Sequence, residues 1–451
     1  MDCQRIFQSI EKHRELIFEA EQYIRKTPET GYREWKTSAY LEKEFEKLGY
    51  DLIKAGNIPG FYTTLDTGRP GPCILVLGEL DSLICADHPD ADPLTGAVHA
   101  CGHHAQCAAL LGLAAALKED GISDDFSGSI RLCAVPAEEL IEIEYRENLR
   151  KKGAISYFGG KVEFLYRGYF DDVDMAFMFH TASNISHRFL MYKGNNGCVA
   201  KKILYKGVAA HAGGSPHEGV NALYAANLGM QAINALRETF RDSDHVRVHP
   251  IITKGGTAVN AIPAEVTMES YVRGASMEVI REVNKKVNRA LAASAASIGA
   301  GVFISDRPGY TPMANDKNLV RIAEIAMKEV APAEKVLMSD DWITGCTDMG
   351  DISAVMPAVH PYVGGAAGIS HGNNYHIEDR ENACVGSAKC QLVMLHLLLS
   401  NDAFEAKKVL AEKDRHYLTK AEFFKAIDAM SMDKDAVIYK DDGTIVLDYS
   451  K

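Results

Sequence analysis

Residues 99–104 place one cysteine and three histidines within six positions, directly before an apolar helical pattern. A thiolate and an imidazole separated by one glycine, here Cys101 and His103, can bind one metal ion or reach two, because glycine permits a tight backbone turn. The alternative is a buried cysteine beside a capping histidine. The segment therefore predicts either a metal site or an ordinary structural turn.

Two adjacent glutamates, Glu138 and Glu139, follow the apolar run at 130–135. On an irregular turn, one carboxylate can bind a metal ion while the other stays free as a general base. Such a base takes the proton of the attacking water and passes it to the leaving amine. A solvated acidic pair is the alternative. Asp81, after another apolar run, is either a carboxylate that orients an imidazole ligand or a helix cap.

Two single histidines complete the candidate set. His180 ends an apolar run, and His371 lies in a glycine-flanked loop. Histidines in such places are commonly hydrogen-bonded core or loop residues. The case for these two as metal ligands therefore depends on the number and the positions of all the candidate ligands. The candidate ligands are Cys101, His103, Glu139, His180 and His371. Five ligands suffice for two divalent ions bridged by a thiolate and water, and the sequence therefore predicts a two-metal hydrolase site.

Short apolar strands must position these side chains. The runs at 73–78, 130–135 and 175–179 alternate with helical patterns such as 105–118. This alternation predicts an α/β fold with a mainly parallel sheet covered by helices on both faces. Candidate ligands follow the carboxyl ends of the strands, where such sheets bind ligands. Before residue 50, the pattern predicts two amphipathic helices, broken at 28–31.

A second pattern begins near residue 195. Its order of strand, helix, strand, strand and helix is typical of a ferredoxin-like α+β domain inserted into the larger one. The predicted strands are 199–206, 246–253 and 265–273, and the predicted helices are 220–240 and 277–299. We expect a catalytic domain from 1–194 and 307–400, an inserted lid domain from 195–306, and an appendage from 401–451. The appendage has mixed charge, with a helix and a terminal strand or hairpin over 436–449.

Three polar residues of the inserted domain are candidates for substrate binding. His211 and Asn260 lie in glycine-containing loops, and Arg273 lies in the last predicted strand. If this domain closes over a substrate, the histidine and the asparagine can donate hydrogen bonds to a developing oxyanion, and the arginine can hold a carboxylate. A surface histidine and ordinary strand residues are the alternative interpretation.

Composition limits the classes of partner. The chain has 451 residues, which favours two domains, and a net charge of -12, which disfavours nucleic acid and anionic membranes. Its start has no apolar signal core, and its longest apolar run, 108–117, is too short to span a bilayer. Ten scattered cysteines indicate reduced thiols. We expect a cytoplasmic protein.

The chain resembles the aminoacylase/carboxypeptidase metallopeptidase family, in the amidohydrolase branch that includes hippurate-type, auxin-conjugate and aminobenzoyl-glutamate hydrolases. The resemblance covers roughly residues 5–400 and rests on motifs in the family's order. They are Pro28-Glu29 with Glu34, Glu79-Leu80-Asp81, residues 99–103, Pro136-Ala137-Glu138-Glu139, Phe179-His180, 207–216 around His211, 255–263 around Asn260, and His371. Residues 347–351 are more similar to the aminobenzoyl-glutamate hydrolases.

The resemblance implies a role for each matching residue. It implies that the five candidate ligands bind two zinc or manganese ions and that Glu138 is the general base. It also implies a lid histidine at His211, which in dimeric relatives often acts on the partner subunit's site, and substrate binding by Asn260 and Arg273. The expected reaction is hydrolysis of the amide bond of an N-acyl amino acid or related conjugate by a homodimer joined through its lid.

Three features depart from the family pattern. His104 replaces an aspartate, Gln106 replaces a histidine, and the charged segment 140–160 stands in place of a glycine-rich run. Two other functions use the same fold. A dipeptidase or carboxypeptidase would use the same metals but require a free amino terminus on its substrate. A catalytically silent binding protein would retain the fold without turnover.

Overall fold

The computed structural model describes residues 3–413 and 415–450. Twelve α-helices lie in this part of the chain: α1 (Cys3–Glu11), α2 (Arg14–Arg25), α3 (Trp35–Lys47), α4 (His103–Leu117), α5 (Ile143–Lys151), α6 (Gly160–Tyr166), α7 (Ala222–Leu236), α8 (Met277–Ala296), α9 (Lys317–Val330), α10 (Met349–Val355), α11 (Ser387–Ala411) and α12 (Lys420–Asp428).

The strands of the same part of the chain are β1 (Ile53–Lys54), β2 (Phe61–Asp66), β3 (Cys73–Glu79), β4 (Leu83–Ile84), β5 (Ala97–Val98), β6 (Ser129–Val135), β7 (Met175–Phe177), β8 (His180–Ser183), β9 (Phe189–Met191), β10 (Gly194–Lys206), β11 (Arg247–Val248), β12 (Ile251–Lys254), β13 (Glu265–Gly274), β14 (Gly301–Pro308), β15 (Met313–Ala314), β16 (Val336–Met338), β17 (Trp342–Cys346), β18 (Ala358–Val359), β19 (Tyr362–Ala367), β20 (His376–Ile377), β21 (Met432–Asp435), β22 (Val437–Tyr439) and β23 (Ile445–Leu447).

A six-stranded sheet forms the centre of the larger domain, in the order β1-β2-β6-β3-β7-β18. Strands β6, β3, β7 and β18 are parallel, and β2 and β1 continue the sheet antiparallel. Alternate side chains of β3 enter two different apolar clusters: Ile74 packs in the cluster that holds α4 and α11, and Leu75 in the one that holds α6 and α10. The predicted α/β fold with helices on both faces is confirmed.

The amino-terminal segment differs from its prediction. Three helices precede residue 50 instead of two, because α1 and α2 separate at Lys12 and His13, where His13 leaves the helical conformation with φ −102° and ψ 13°. A second sheet, in the order β16-β9-β19-β20 with β8 beside β19, lies after the main sheet in the chain. His180 is the first residue of β8 and is paired with Tyr362 of β19.

The lid contains a third sheet, which is antiparallel and has the order β11-β13-β10-β14-β21, with β12 also beside β13. Helices α7 and α8 cover one face, where Val199 and Ile203 are buried. On the opposite face, Ala200 packs against residues of the larger domain. The predicted ferredoxin-like order is confirmed, but the strand expected at 246–253 is two short strands. They separate around Pro250, which has no backbone N–H to donate to a ladder.

Residues 415–450 connect the two domains. Phe423 and Ile427 of α12 are buried in the apolar cluster of the larger domain. Strand β21 then pairs with β14 and extends the lid sheet, a contact that the sequence did not predict. The expected terminal hairpin forms from β22 and β23.

One helical segment, Glu381–Ala411, is long and apolar enough to cross a membrane by length and composition. However, 78% of its apolar window is buried inside the structure. It contributes residues such as Leu392 and Leu395 to the main apolar cluster. Its apolar surface is therefore accounted for by packing within the domain.

Candidate metal centre

The Cys101-Gly102-His103 turn requires its glycine. Gly102 has φ +94°, and a Cβ added there would lie 2.0 Å from Thr181 Oγ1. Gly102 thus lets the backbone pass close to β8 and start α4 at His103. Thr181 Oγ1 also donates a 3.1 Å hydrogen bond to the Cys101 carbonyl, which fixes the cysteine beside His180.

Cys101 belongs to two groups of metal-binding side chains. It lies with His103 and His180 in one group, and with Glu139 and His371 in the other, and the ligand atoms of each group lie within 4.8 Å of one another. The Sγ of Cys101 is 3.4 Å from His180 Nε2, and His371 Nε2 is 3.1 Å from Glu139 Oε1. The structure therefore brings all five sequence-predicted ligands together around one shared thiol.

Asp81 holds two of these residues, His103 by its ring and Glu139 by its backbone. Its backbone carbonyl lies 2.9 Å and its Oδ1 3.2 Å from His103 Nδ1, so His103 Nε2 faces the centre. Its Oδ2 accepts a 2.8 Å hydrogen bond from the Glu139 backbone N–H. This is the arrangement expected of a carboxylate that fixes the orientation of an imidazole ligand.

The site holds its ionisable groups in different states. Burial raises the pKa of Glu138, and the nearby carboxylates of Glu79 and Glu139 raise it further, to well above its usual value. Burial opposes ionisation of Glu139 as well, but the His371 imidazole lowers the pKa of that carboxyl to about 2. Two adjacent carboxylates with separated pKa values suit two different roles.

The pKa values of Cys101 and His371 are also shifted by their neighbours. Burial and the Glu139 carboxylate raise the pKa of the Cys101 thiol, but His180 and His103 outweigh them and lower that pKa to about 6. A thiolate is the form of cysteine that binds metals. Glu139 raises the pKa of His371 to about 11, so these two side chains form an ion pair across the centre.

Two buried atoms test whether a metal fits. His103 Nε2 and Glu139 Oε1 are shielded from solvent, and within residues 3–413 and 415–450 each has an ion-pair partner, Glu79 Oε2 at 3.2 Å and His371 Nε2 at 3.1 Å, but no well-aligned hydrogen bond. Buried polar atoms without such a bond are costly, and both side chains have a ligand atom within 4.8 Å of the shared thiol. Sulfur, nitrogen and carboxylate donors together match the preferences of borderline divalent ions. The residues fit a metal centre.

A buried charge cluster beside the centre was missed as part of the site. Lys161 Nζ lies 2.5 Å from both Glu79 Oε1 and Asp348 Oδ1, and all three side chains are fully buried. Glu79 Oε2 is in turn 3.2 Å from His103 Nε2. The sequence feature that could have indicated this contact is Gly159-Gly160, directly before the lysine. A Cβ on Gly160 would lie 1.6 Å from the Pro136 carbonyl, so the glycines let Lys161 come close to Glu79.

The two substitutions after the Cys-Gly-His turn have different consequences. Gln106 accepts a hydrogen bond from the Glu79 backbone N–H and donates to Glu79 Oε2 and to the Phe179 carbonyl, so it supports the centre. His104 lies instead 3.6 Å from Glu21 of α2, and burial lowers its pKa to about 3. Neither residue joins the ligand groups.

The lid residues fall into two places. His211 and Asn260 are exposed and lie on adjacent loops, because Ala212 donates a hydrogen bond to the Asn260 carbonyl. The His211 ring accepts hydrogen bonds from the Gly213 and Gly214 backbone. In the described residues it has no contact with the five candidate ligands, so a single chain does not bring His211 and Asn260 to the centre.

Arg273 lies on the face of the lid sheet that meets the larger domain. It is next but one in β13 to Tyr271, whose hydroxyl donates to the Leu140 carbonyl, directly after Glu139. A cavity of about 350 Å³ is lined by both residues and by Ile143. The guanidinium carbon lies 5.3 Å from the Tyr271 ring centroid. Arg273 is therefore on the side of the lid nearest the candidate centre.

The model of one protein family, described as peptidase family M20/M25/M40, matches residues 77–394. The chain belongs to this family. The match spans both domains, and the M20 proteins are metal-dependent hydrolases that act on amide bonds. The family membership inferred from the ordered motifs is confirmed, and so is an amide-bond hydrolase activity.

Several M20 relatives and neighbours are similar over most of the chain. Indole-3-acetyl-aspartic acid hydrolase of Enterobacter agglomerans is 27% identical over 325 residues, which cover 61% of this chain and 70% of that protein. Xaa-Arg dipeptidase of Mus musculus is 31% identical over 316 residues, 68% of this chain and 65% of that protein. A dinuclear metal-binding M20 peptidase from Bacillus subtilis has the same fold, with a TM-score of 0.60, 18% identity, and coverage of 86% of this chain and 99% of that one.

Proposed function

We propose that this M20 protein is a two-metal amidohydrolase that cleaves the amide bond of an N-acyl amino acid or a related conjugate. The observation that carries the proposal is the shared thiol: Cys101 lies in two ligand groups that otherwise have no member in common. One group adds His103 and His180, and the other adds Glu139 and His371. With Cys101 common to both groups, the five side chains would hold two ions rather than one.

We propose that the two ions are divalent zinc or manganese. Thiolate and imidazole donors favour zinc, and the carboxylate makes manganese credible as well. When bound, the ions supply Lewis-acid activation of a water molecule and of the amide carbonyl. The remaining steps belong to the side chains of the protein.

Glu138 is proposed as the general base. Its carboxylate Oε2 lies 3.8 Å from His103 Nε2, outside the two groups that share Cys101 and in a third group with Glu79 and His103. It accepts a proton from the attacking water, and its raised pKa stabilises the protonated form until the proton passes to the departing amine. The Tyr310 hydroxyl donates to the Glu138 carbonyl and holds this residue in place.

Substrate recognition is proposed for the lid. Arg273 holds the carboxylate of the amino-acid part by paired hydrogen bonds. His211 and Asn260 donate hydrogen bonds to the developing oxyanion. Because these two residues are exposed and away from the centre of their own chain, we propose that they serve the centre of a partner subunit in a homodimer joined through the lid.

We further propose a cytoplasmic enzyme that acts on a small molecule and binds neither nucleic acid nor membranes. Its net charge of -12 disfavours binding to nucleic acid and to anionic membranes. No disulfide joins the cysteines within residues 3–413 and 415–450, as expected in a reducing compartment.

A panel of paired substrates tests the proposed reaction. Zinc- or manganese-loaded protein is assayed for amine release from N-acyl amino acids, an aryl-amide glutamate, the carboxamide of each, and free dipeptides. We expect release from the acylated acids and weak release from the carboxamides, which lack the carboxylate for Arg273. The Glu138→Gln variant is the control for contaminating activity.

Dipeptidase activity is the second candidate function. The similarity to Xaa-Arg dipeptidase, 31% identical, supports it. A dipeptidase requires a free amino terminus, so it would release amine from the free dipeptides and leave the matching N-acylated compounds intact. That outcome would replace the amidohydrolase proposal while keeping the same metal centre.

A further inference from the structure

The segment between Glu139 and Gly159 leaves the catalytic turn and returns to it. It contains α5, and on its return Gly160 donates a 3.2 Å hydrogen bond to the Ala137 carbonyl. Both ends of the segment therefore meet at the turn of residues 136–139. The segment is therefore an excursion of the main chain whose two ends lie beside the candidate catalytic glutamates.

Arg146, in the middle of α5, points back into this turn. It is 1% exposed, and its guanidinium donates to three backbone carbonyls: Phe158 at 2.6 Å, Ala137 at 3.3 Å, and Glu139. In the described part of the chain it forms no ion pair with a carboxylate. Burying an unpaired guanidinium is costly, and the three main-chain carbonyls offset part of that cost.

The turn that Arg146 contacts is strained. Ala137 has φ +59°, a left-handed conformation that residues with a Cβ rarely adopt. Such a conformation persists only where neighbouring groups hold it. Glu34 Oε1 accepts a hydrogen bond from the Ala137 N–H, and Asp81 Oδ2 accepts one from the Glu139 N–H. Those contacts hold the N–H side of the turn.

The carbonyl side of the turn is held by donors. Tyr310 donates to the Glu138 carbonyl and Tyr271 to the Leu140 carbonyl. Arg146 is the one side chain of the described residues that bonds two carbonyls of the turn, those of Ala137 and Glu139 on either side of Glu138. The same two carbonyls also accept hydrogen bonds from the backbone N–H groups of Gly160 and Ile141. Without Arg146, only main-chain donors would hold these two carbonyls, and less would oppose the return of Ala137 to negative φ and the movement of the Glu139 carboxylate away from His371.

We infer that Arg146 is a positioning residue, which fixes the turn of residues 136–139 so that Glu139 reaches the shared thiol and Glu138 faces the substrate. This inference rests on the proposed function. It predicts a selective effect on metal binding. The metal site formed by Cys101, Glu139 and His371 should depend on Arg146. The site formed by Cys101, His103 and His180 should not.

The test compares Arg146→Met and Arg146→Lys with a matched control, Arg150→Met, on the same helix. Arg150 is about one-third exposed and contacts Glu147 rather than the turn. Each protein is loaded with Zn²⁺ alone, and zinc release to a chromophoric chelator is followed beside kcat and KM. We expect Arg146→Met to release one of its two ions about 10- to 100-fold faster and to lose about 10- to 100-fold in kcat, with little change in KM.

Arg146→Lys keeps a cation that reaches one carbonyl, so intermediate values are expected, and Arg150→Met should match the wild type. Wild-type zinc release and kcat in both Arg146 variants would overturn the inference. If Arg146→Met does not fold, a fully wild-type Arg146→Lys would still overturn it. Failure of the wild type on every amide would instead count against the proposed function, and the zinc-release comparison would remain decisive for Arg146.

Discussion

Glu139 and His371 form an ion pair, 3.1 Å between Oε1 and Nε2, across the candidate metal centre. Glu139 follows β6, and His371 lies in the loop between β19 and β20 with φ +64°, a left-handed conformation that strains a residue with a Cβ. The His371 N–H donates to the Ala100 carbonyl, which ties this loop to the Cys101 turn. The ion pair and this main-chain hydrogen bond thus hold the second ligand group in place.

The shared thiol gives the first prediction. Because Cys101 lies in both ligand groups, Cys101→Ser should weaken binding of both ions by at least about 100-fold, since an alcohol is a far poorer ligand than a thiolate. Metal content after dialysis, by mass spectrometry, measures this. Cys85→Ser, at a partly exposed cysteine outside the centre, is the control and should keep both ions. A Cys101→Ser protein with both ions at wild-type affinity would exclude the bridging role.

The second prediction concerns the adjacent glutamates. Substitution of one should lower kcat, and substitution of the other should lower the metal content. Glu138→Gln should keep its metal and lose about 10²- to 10⁴-fold in kcat, since it removes the proton acceptor. Glu139→Gln should lose metal first, because its carboxylate is a member of the ligand group with His371. Metal content and kcat of both variants are the measurements. Equal metal loss in the two would show that the roles are not divided.

The candidate ligands were predictable because their chemistry shows in the sequence. Thiol, imidazole and carboxylate groups at the carboxyl ends of apolar runs are few, and a parallel sheet gathers such ends at one edge. His180, for example, directly follows an apolar run that forms β7. The order of the motifs then matched a known family. The fold followed from these local signals, and so did the set of candidate ligands, whose role as ligands stays a prediction.

The supporting contacts were not predictable, because they depend on where distant segments return. Arg146 lies in the segment 140–160, which departs from the family pattern, and Lys161 directly follows it, so only the folded chain shows that both reach the centre. Strand β21, with the sequence Met-Asp-Lys-Asp, has no apolar alternation. It becomes a strand because β14 offers an open edge, and tertiary context of that kind overrides local propensity.

A buried carboxylate on α5 gives the third prediction, on stability. Glu147 accepts hydrogen bonds from Arg307 at 3.1 Å and from Arg150, and although burial opposes ionisation, these arginines lower its pKa from 4.5 to about 2. A carboxyl with a lowered folded-state pKa stabilises the fold above its unfolded pKa and loses that effect as the pH falls. Glu147→Gln should therefore cost about 1.5–3 kcal/mol of unfolding free energy at pH 7.

The same carboxylate sets the pH dependence. The difference between wild type and Glu147→Gln should stay constant near neutrality and shrink between about pH 4.5 and pH 2. Urea unfolding at a series of pH values measures it. Glu144→Gln, on the exposed side of the same helix, is the control and should change stability by less than about 0.5 kcal/mol. A difference that does not change with pH would mean that the charge of Glu147 contributes nothing.

The exposed position of His211 gives the fourth prediction, which concerns the partner subunit. Glu138→Gln and His211→Ala should each be nearly inactive alone. If His211 acts in the partner's centre, a mixed dimer of the two variants has one centre with both wild-type residues. Random exchange of subunits makes about half of the dimers mixed, so roughly a quarter of the wild-type activity should return.

If His211 acts in its own chain, every centre in the mixture lacks one of the two residues, and mixing restores nothing. Subunit exchange confirmed by native mass spectrometry, followed by the amine-release assay, separates the two arrangements.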